Sequence, residues 1–387
     1  MLWINFLHIY QPANTDAYLI REATDKSYLR LIRALEEHPN LKFTFNISGC
    51  LFLRWKELGY YDIPKRLKKL IEREQLEITG TAAYHPLLPL IKIKEVKKQI
   101  LENEKILKEN LGEDFKPRGF FFPEMAYGPE PAKLIRNLGY EWIILDEISA
   151  QGKIGKVNFK QIYKDQNSGL KTIFRSRDFS NSYVPETIQK LINENNIDFT
   201  VTGTDGELYG LRHEDPDAIF ENLIKSKKLK TKTISEYIDS NVKLKEISLL
   251  PSHWNATEKD LKNHIPYSLW YDQDNKIQMK LWELANTSYD LIEKHKNDQN
   301  YVWAYWHLVR GLASCTFWWA SAKDFRLFGP ISWSPDEIER GSNELIRAIR
   351  ALDSEDTRKD KIEAEKLYIS IKHKVWNKHW SYYWKKN

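Results

Sequence analysis

An α/β fold is predicted for this chain: a parallel barrel, whole or partial, followed by a C-terminal helical region. Three observations predict it. Strand-like and helix-like stretches alternate about seven times over roughly the first 240 of the 387 residues, the pattern of a parallel sheet built from βα units. No glycine-rich phosphate-binding fingerprint accompanies the alternation, which favours a barrel over a dinucleotide fold. From about residue 276 glycine becomes scarce and helical periodicity takes over. The expected division is therefore a barrel over 1–275 and a helical bundle packed on it over 276–387.

The elements follow in order. Residues 2–9 are apolar and alternating, a first strand that ends in His8-Ile9-Tyr10-Gln11-Pro12. His8 and Tyr10 stand two apart and so share a face. Residues 26–37 carry a helical stripe, 41–47 alternate as a strand, and two helices precede the strand 76–80. His85 stands just after that strand, before Pro86, in an extended position. A long amphipathic helix over 93–111 leads to Gly119-Phe120-Phe121-Phe122-Pro123-Glu124. The three Phe read as a buried strand, and Pro123 stops its pairing just before the carboxylate.

A helix over 131–138 ends at Gly139, and Trp142–Asp146 is a fully buried strand. Short strands at 160–163 and 171–174 lead into Arg175-Ser176-Arg177. A helix from Pro185 to Asn195 precedes Phe199–Gly203 and then Thr204-Asp205-Gly206-Glu207-Leu208-Tyr209-Gly210, whose glycines allow a tight turn. Ser235 is the expected N-cap of a short helix. In the C-terminal part helices are expected over 276–297, 298–315, 334–353 and 357–378, with Ser334-Pro335 as a strong helix start. Trp376, Trp380 and Trp384 stand four apart, one stripe if helical.

Composition narrows the function classes. The 59 basic and 54 acidic residues are interspersed and leave a net charge of +5, which requires no nucleic-acid partner. No stretch approaches the ~18 apolar residues of a membrane span. The N-terminal segment lacks a basic region and a small-residue cleavage site. With only Cys50 and Cys315 no disulfide framework arises, so a cytoplasmic location is expected. Oligomeric state is not encoded in any recognisable pattern.

The chemistry lies at strand ends, where barrels carry their functional groups. His8, His85, Glu124 and Asp205 all fall at or just after predicted strands. Two carboxylates brought together at barrel strand ends suit glycoside cleavage, in which one group stays ionised and the other holds a proton. Glu207 competes with Asp205 for the acid role. Arg175 is placed to hold sugar hydroxyls or to bias the nucleophile. The 14 Trp and 20 Tyr include Trp254 beside His253, Trp270 before Tyr271, and the Trp318-Trp319 pair; aromatic faces of this kind suit sugar rings. The alternative role for Trp318-Trp319 is a docking surface. A divalent ion held by His8, His85, Asp205 and His253 is the competing chemistry, although no pair has a local metal-ligand spacing.

Five segments resemble, in order, the motifs of family 57 glycoside hydrolases: His8-Ile9-Tyr10-Gln11-Pro12, Gly80–Pro89 with His85-Pro86, Phe122–Tyr127, Thr204–Gly210, and Phe317-Trp318-Trp319-Ala320-Ser321. The resemblance implies an incomplete (β/α)7 barrel with a helical C-terminal domain. It also implies retaining action on α-glycosidic bonds, as in α-amylases, 4-α-glucanotransferases, branching enzymes and α-galactosidases, with an α-glucan or oligosaccharide as the partner. No metal or organic cofactor is expected. It implies Glu124 as nucleophile and Asp205 as general acid/base, with His8, Tyr10, Gln11, His85, Glu207, Trp254, Trp270 and Trp318 binding substrate. Two positions depart from the motifs. Tyr10 stands where a second His is usual, and Leu211 follows Gly210 where His is frequent, with His213 two residues on. Both carboxylates survive these changes, so substrate identity is affected more than activity. Hydrolysis and transfer are both compatible with the sequence, as is a non-catalytic carbohydrate-binding relative.

Overall fold

The computed structural model describes residues 1–195, 197–241, 243–322 and 333–385, with side chains up to Ser381. The Trp384 side chain of the expected C-terminal stripe therefore lies outside the described residues. The chain divides into two compact units, one of Met1–Ala83 with Leu88–Lys262, the other of Tyr84–Leu87 with Asn263–Asn387.

The first unit is the α/β unit. Its strands are β1 (Leu2–Ile9), β2 (Phe43–Ile47), β3 (Leu76–Thr79), β4 (Gly119–Phe120), β5 (Trp142–Asp146), β6 (Ile162–Asp165), β7 (Lys171–Arg175), β8 (Phe199–Asp205), β9 (Lys230–Thr231) and β10 (Leu244–Ile247). Parallel pairing runs β3-β2-β1-β8 in one sheet and β7-β5-β4 in the other. Two narrow links join the arcs. Gly80 bridges to Phe120 between β3 and β4, and the Ser176 N–H donates to the Val201 carbonyl (2.9 Å) between β7 and β8. The seven parallel strands thus follow one another in chain order, an incomplete (β/α)7 barrel. β6 lies outside this ring. It pairs antiparallel with β7 and carries β10 on its other side, because the turn between β6 and β7 is too short for a parallel crossover.

The strand interior is apolar from both arcs. Ile4 and Phe6 of β1, Phe120 to Phe122, Trp142 to Leu145, Ile173 and Val201 are all buried in one core. Burial of each such side chain is worth about 1.5–3 kcal/mol. The Phe run pairs for less of its length than expected: β4 ends at Phe120, and Phe121 adds a bond from its N–H to the Gly80 carbonyl (2.9 Å). The two glycines at this link permit close packing. A Cβ at Gly119 would collide with the Trp142 indole, and one at Gly80 with the Tyr140 ring. Ser235 is not the helix cap that its position suggests. Thr233 caps Ile234–Asp239 in a reciprocal box with Glu236, which leaves the Ser235 hydroxyl to donate to Glu77.

The second unit is helical. Its long helices are Lys276–Lys294, Tyr301–Gly311, Pro335–Ala351 and Arg358–Lys385, with a short one at Ser314–Trp318. The helix expected over 298–315 is interrupted before Ser314. Ser334 accepts from the Glu337 N–H with Pro335 in the first turn. Trp282 stacks on Phe317 with ring centroids 3.8 Å apart. Trp376 and Trp380 stack at 6.3 Å, and Trp376 Nε1 donates to Glu339 (3.0 Å).

Candidate active site

The acidic turn after β8 is built first, because β8 lies beside β1. Register pairs His8 with Asp205 and also with Asn46 of β2. Asn46 donates its amide to Thr79 Oγ1 (3.2 Å), so its oxygen accepts from His8 Nδ1 (2.8 Å), which fixes the imidazole tautomer. Burial holds His8 below its ordinary pKa and outweighs the opposing pull of Asp205 and Asn46. A neutral imidazole therefore stands beside the Asp205 strand end. The Tyr10 ring stacks on it at 5.5 Å.

Asp205 is the last residue of β8, and one of its oxygens accepts from Arg212 Nη1 (2.9 Å). The Arg212 side chain is about half exposed, at 52%. Glu207, two residues on, is only 3% exposed. One of its oxygens accepts from Tyr28 (2.6 Å) and from Gln11 Nε2 (2.7 Å). Burial pushes the Glu207 carboxyl up to about 7; the Asp205 charge adds to the shift, while Arg212 and Tyr28 oppose it. Gln11 thus serves Glu207 directly. The turn is seated from outside by a π-helical segment, Thr24–Tyr28, a deformation common near functional sites. It presents Tyr28 to Glu207, and Ser27 Oγ donates to the Gly206 carbonyl (2.5 Å).

Glu124 is positioned by its backbone. Pro123–Met125 form a single 3₁₀ turn in which Glu124 adopts φ 62° and ψ 17°. Met125 is also left-handed, at φ 49°. Such a conformation is strained for residues with a Cβ and occurs where surrounding structure enforces it. Here the Trp254 N–H donates to the Glu124 carbonyl (3.1 Å), and the Tyr127 N–H donates to the Ser252 carbonyl (3.0 Å). Trp254 closes the circle, because its ring meets His8 edge-on at 6.0 Å. Glu124, Trp254, His8 and Asp205 are therefore linked by successive contacts.

Arg175 does not have the substrate-facing role open to it from sequence. It is 4% exposed and spends its donors on Asp146 (2.8 Å), the Gly203 carbonyl (2.6 Å) and the Trp254 carbonyl (2.9 Å). Arg177 pairs with the same Asp146 (2.6 Å) and reaches the Ala256 carbonyl (2.7 Å). His253 is buried against this pair. Burial first, then Arg177 and Arg175, pull it down to about 3, so it is neutral at working pH.

The remaining sequence candidates belong to the helical unit. His85 is buried with φ 57°; its Nδ1 lies 3.0 Å from Ser314 Oγ. Trp270 is 1% exposed, and its carbonyl accepts from Trp282 (2.9 Å). Trp318 is half-buried at the end of its helix, 4.7 Å from the Trp319 ring. Sequence reasoning did not single out Tyr28, Ser27, Asp146 or Arg212. Among the described residues no three His, Cys, Asp or Glu side chains are grouped to hold a metal ion.

Seven parallel strands in an incomplete α/β barrel, with acidic residues after β4 and at the end of β8 and a neutral His and a Trp between them, place the chain in the class of α/β-barrel folds. The particular family follows from comparison: the model of glycosyl hydrolase family 57 matches residues 4–251, and the chain belongs to that family. It is 29% identical over 224 residues to an α-amylase of Pyrococcus abyssi, a match covering 54% of this chain and 33% of that protein. It is 26% identical over 304 residues to a 4-α-glucanotransferase of Thermococcus litoralis, covering 71% and 45%. The crystal structure of the Thermococcus litoralis enzyme matches with a TM-score of 0.71 at 19% identity, over 92% of this chain and 60% of that one. An α-amylase from Thermotoga maritima matches at 0.69 and 14% identity, over 96% and 98%. These structural likenesses concern the fold. The matched stretch spans less than half the length of either curated relative.

Proposed function

We propose that this chain is a retaining glycoside hydrolase or transglycosylase acting on α-1,4-glucan, with Glu124 as nucleophile and Asp205 as general acid/base. The observation that carries the reading is the pair of carboxylates, one in the turn after β4 and one at the end of β8, connected through Trp254 and His8. Glu124 attacks the anomeric carbon while Asp205 protonates the departing glycosidic oxygen, and a glycosyl ester forms on Glu124. Asp205, now ionised, takes a proton from water or from an acceptor hydroxyl, whose oxygen displaces Glu124 with a second inversion. Neutral His8 and the Tyr10 hydroxyl are suited to bind sugar hydroxyls, and Trp254 offers an apolar face. Gln11, Tyr28 and Glu207 form the wall that seats the Asp205 turn. Names of relatives support both outcomes, hydrolysis by α-amylases and transfer by 4-α-glucanotransferases.

Among the described residues no helix is long and apolar enough to cross a membrane, and no disulfide joins Cys50 to Cys315. The low cysteine usage supports the cytoplasm as the working location, and the names of the relatives support an α-glucan as the partner. Incubation with maltoheptaose tests the function. A product series that includes chains longer than the input marks 4-α-glucan transfer; shorter chains alone mark an amylase. An unchanged substrate would sink the α-glucan reading and direct the test to α-galactosides, then to glucan binding without turnover.

A further inference from the structure

The donors of buried Arg175 reach the Asp205 strand directly and the Glu124 turn through Trp254. Nη1 donates to the Gly203 carbonyl, two residues before Asp205 on β8. Nη2 donates to the Trp254 carbonyl, and the Trp254 N–H in turn holds the Glu124 carbonyl. The guanidinium also lies 5.3 Å from the Trp254 ring centroid. Nε is fixed by Asp146 at the end of β5. The two segments also meet directly: a Cβ added at Gly203 would stand 3.1 Å from the Met125 methyl and 3.3 Å from Arg175 Cδ. From this geometry we infer that Arg175, oriented by Asp146, is a positioning residue that sets the spacing between Glu124 and Asp205.

The inference rests on the glycosidase reading and adds to it. The planar fork of an arginine holds three partners at fixed angles, which the single ammonium of lysine cannot do. The strained Glu124 turn follows a two-residue strand, and the Trp254 bond that Arg175 supports adds to the turn's own main-chain bonds, Met125 N–H to the Phe122 carbonyl and Ala126 N–H to the Pro123 carbonyl. Arg175 touches no reacting atom in this scheme. Its loss lets the two carboxylates drift apart, and a misplacement of about 1 Å costs about 100-fold in rate.

The test compares Arg175→Lys and Arg175→Met with Arg177→Met, using maltoheptaose turnover and thermal unfolding. Arg177 pairs with the same Asp146 but reaches Ala256 instead, so it controls for loss of a buried charge. Arg175→Lys and Arg175→Met are expected to lower kcat about 100-fold with KM within about threefold of the parent. Arg177→Met is expected to lower Tm as much but kcat far less. Gly203→Ala keeps every charge and presses on the Met125 methyl; it is expected to lower kcat several-fold without a fall in Tm that prevents purification. Parent-like kcat in the Arg175 variants, or a kcat loss that merely follows Tm across all four, would overturn the inference alone. A parent that turns over neither maltoheptaose nor an α-galactoside would overturn the glycosidase reading and this inference with it.

Discussion

The two acidic strand ends are held in opposite ways. Asp205 closes a seven-residue strand in ordinary extended geometry, φ −67° and ψ 138°. Its side chain accepts from Arg212, and the turn that follows it is held by Ser27 and Tyr28 of the π segment. Glu124 follows a two-residue strand in a left-handed conformation, held through main-chain bonds from a distant loop. A group fixed by backbone sits in one position, as an attacking atom requires. A group on a regular strand end, amid titrating neighbours, can change protonation state while its backbone stays still. The proposed division of labour between nucleophile and acid/base is thus mirrored in how each is supported.

The largest expected effect separates the two roles. Glu124→Gln should lower turnover of maltoheptaose about 10⁴-fold or more, whatever the leaving group. Asp205→Asn should cost about 10²–10⁴-fold on the same substrate, but far less in glycosylation by an activated α-glycosyl fluoride, which departs without a proton. Equal losses on both substrates for both variants would erase the distinction.

The second effect concerns charge at the Asp205 turn. The Glu207 carboxyl is raised to about 7 in the folded chain, above the unfolded range near 4.5. Between those values the folded state binds more protons than the unfolded one, so this group makes stability fall as pH rises. Glu207→Gln should remove that slope. Relative to the variant, the parent should unfold at a higher temperature at pH 5 than at pH 8. Because Arg212 lowers the Glu207 value, Arg212→Gln should move the transition to higher pH. A parallel dependence in parent and Glu207→Gln would contradict the burial argument.

The smallest effect tests the backbones. Glycine tolerates positive φ and alanine does not, so Glu124→Gly should be more stable than Glu124→Ala by about 1 kcal/mol. At Asp205, which is extended, the order should reverse by about 0.5–1 kcal/mol. Denaturant unfolding of the four variants measures both differences. The same order at both positions would show that the Glu124 turn stores no strain.

What the sequence made legible follows from the same comparison. Strand ends, with Asp205 as the last residue of β8 and Glu124 just past Pro123, were readable because apolar runs and turn residues are local signals. The strain at Glu124 was not, since nothing in Phe-Pro-Glu-Met requires a left-handed Glu; it is imposed by Trp254, 130 positions away in the chain. Arg212 and Tyr28 were missed for a related reason. One is a loop cation and the other sits in an apparently regular helix that widens to a π turn at Thr24–Tyr28. Arg175 was noticed as a group to hold sugar hydroxyls or bias the nucleophile, but only the fold reveals that its donors meet Gly203 and Trp254. The antiparallel β6 escaped the alternation rule, which registers strands without their orientation.

The most direct test of the central claim is the mass of the Asp205→Asn protein after brief exposure to α-maltosyl fluoride. The fluoride leaves without acid help, and the missing base slows release of the glycosyl group. The account expects a mass gain of one maltosyl unit, carried by the peptide that contains Glu124 and absent from the Glu124→Gln, Asp205→Asn double variant. An adduct on another residue, or rapid release of β-maltose with no adduct, would contradict it.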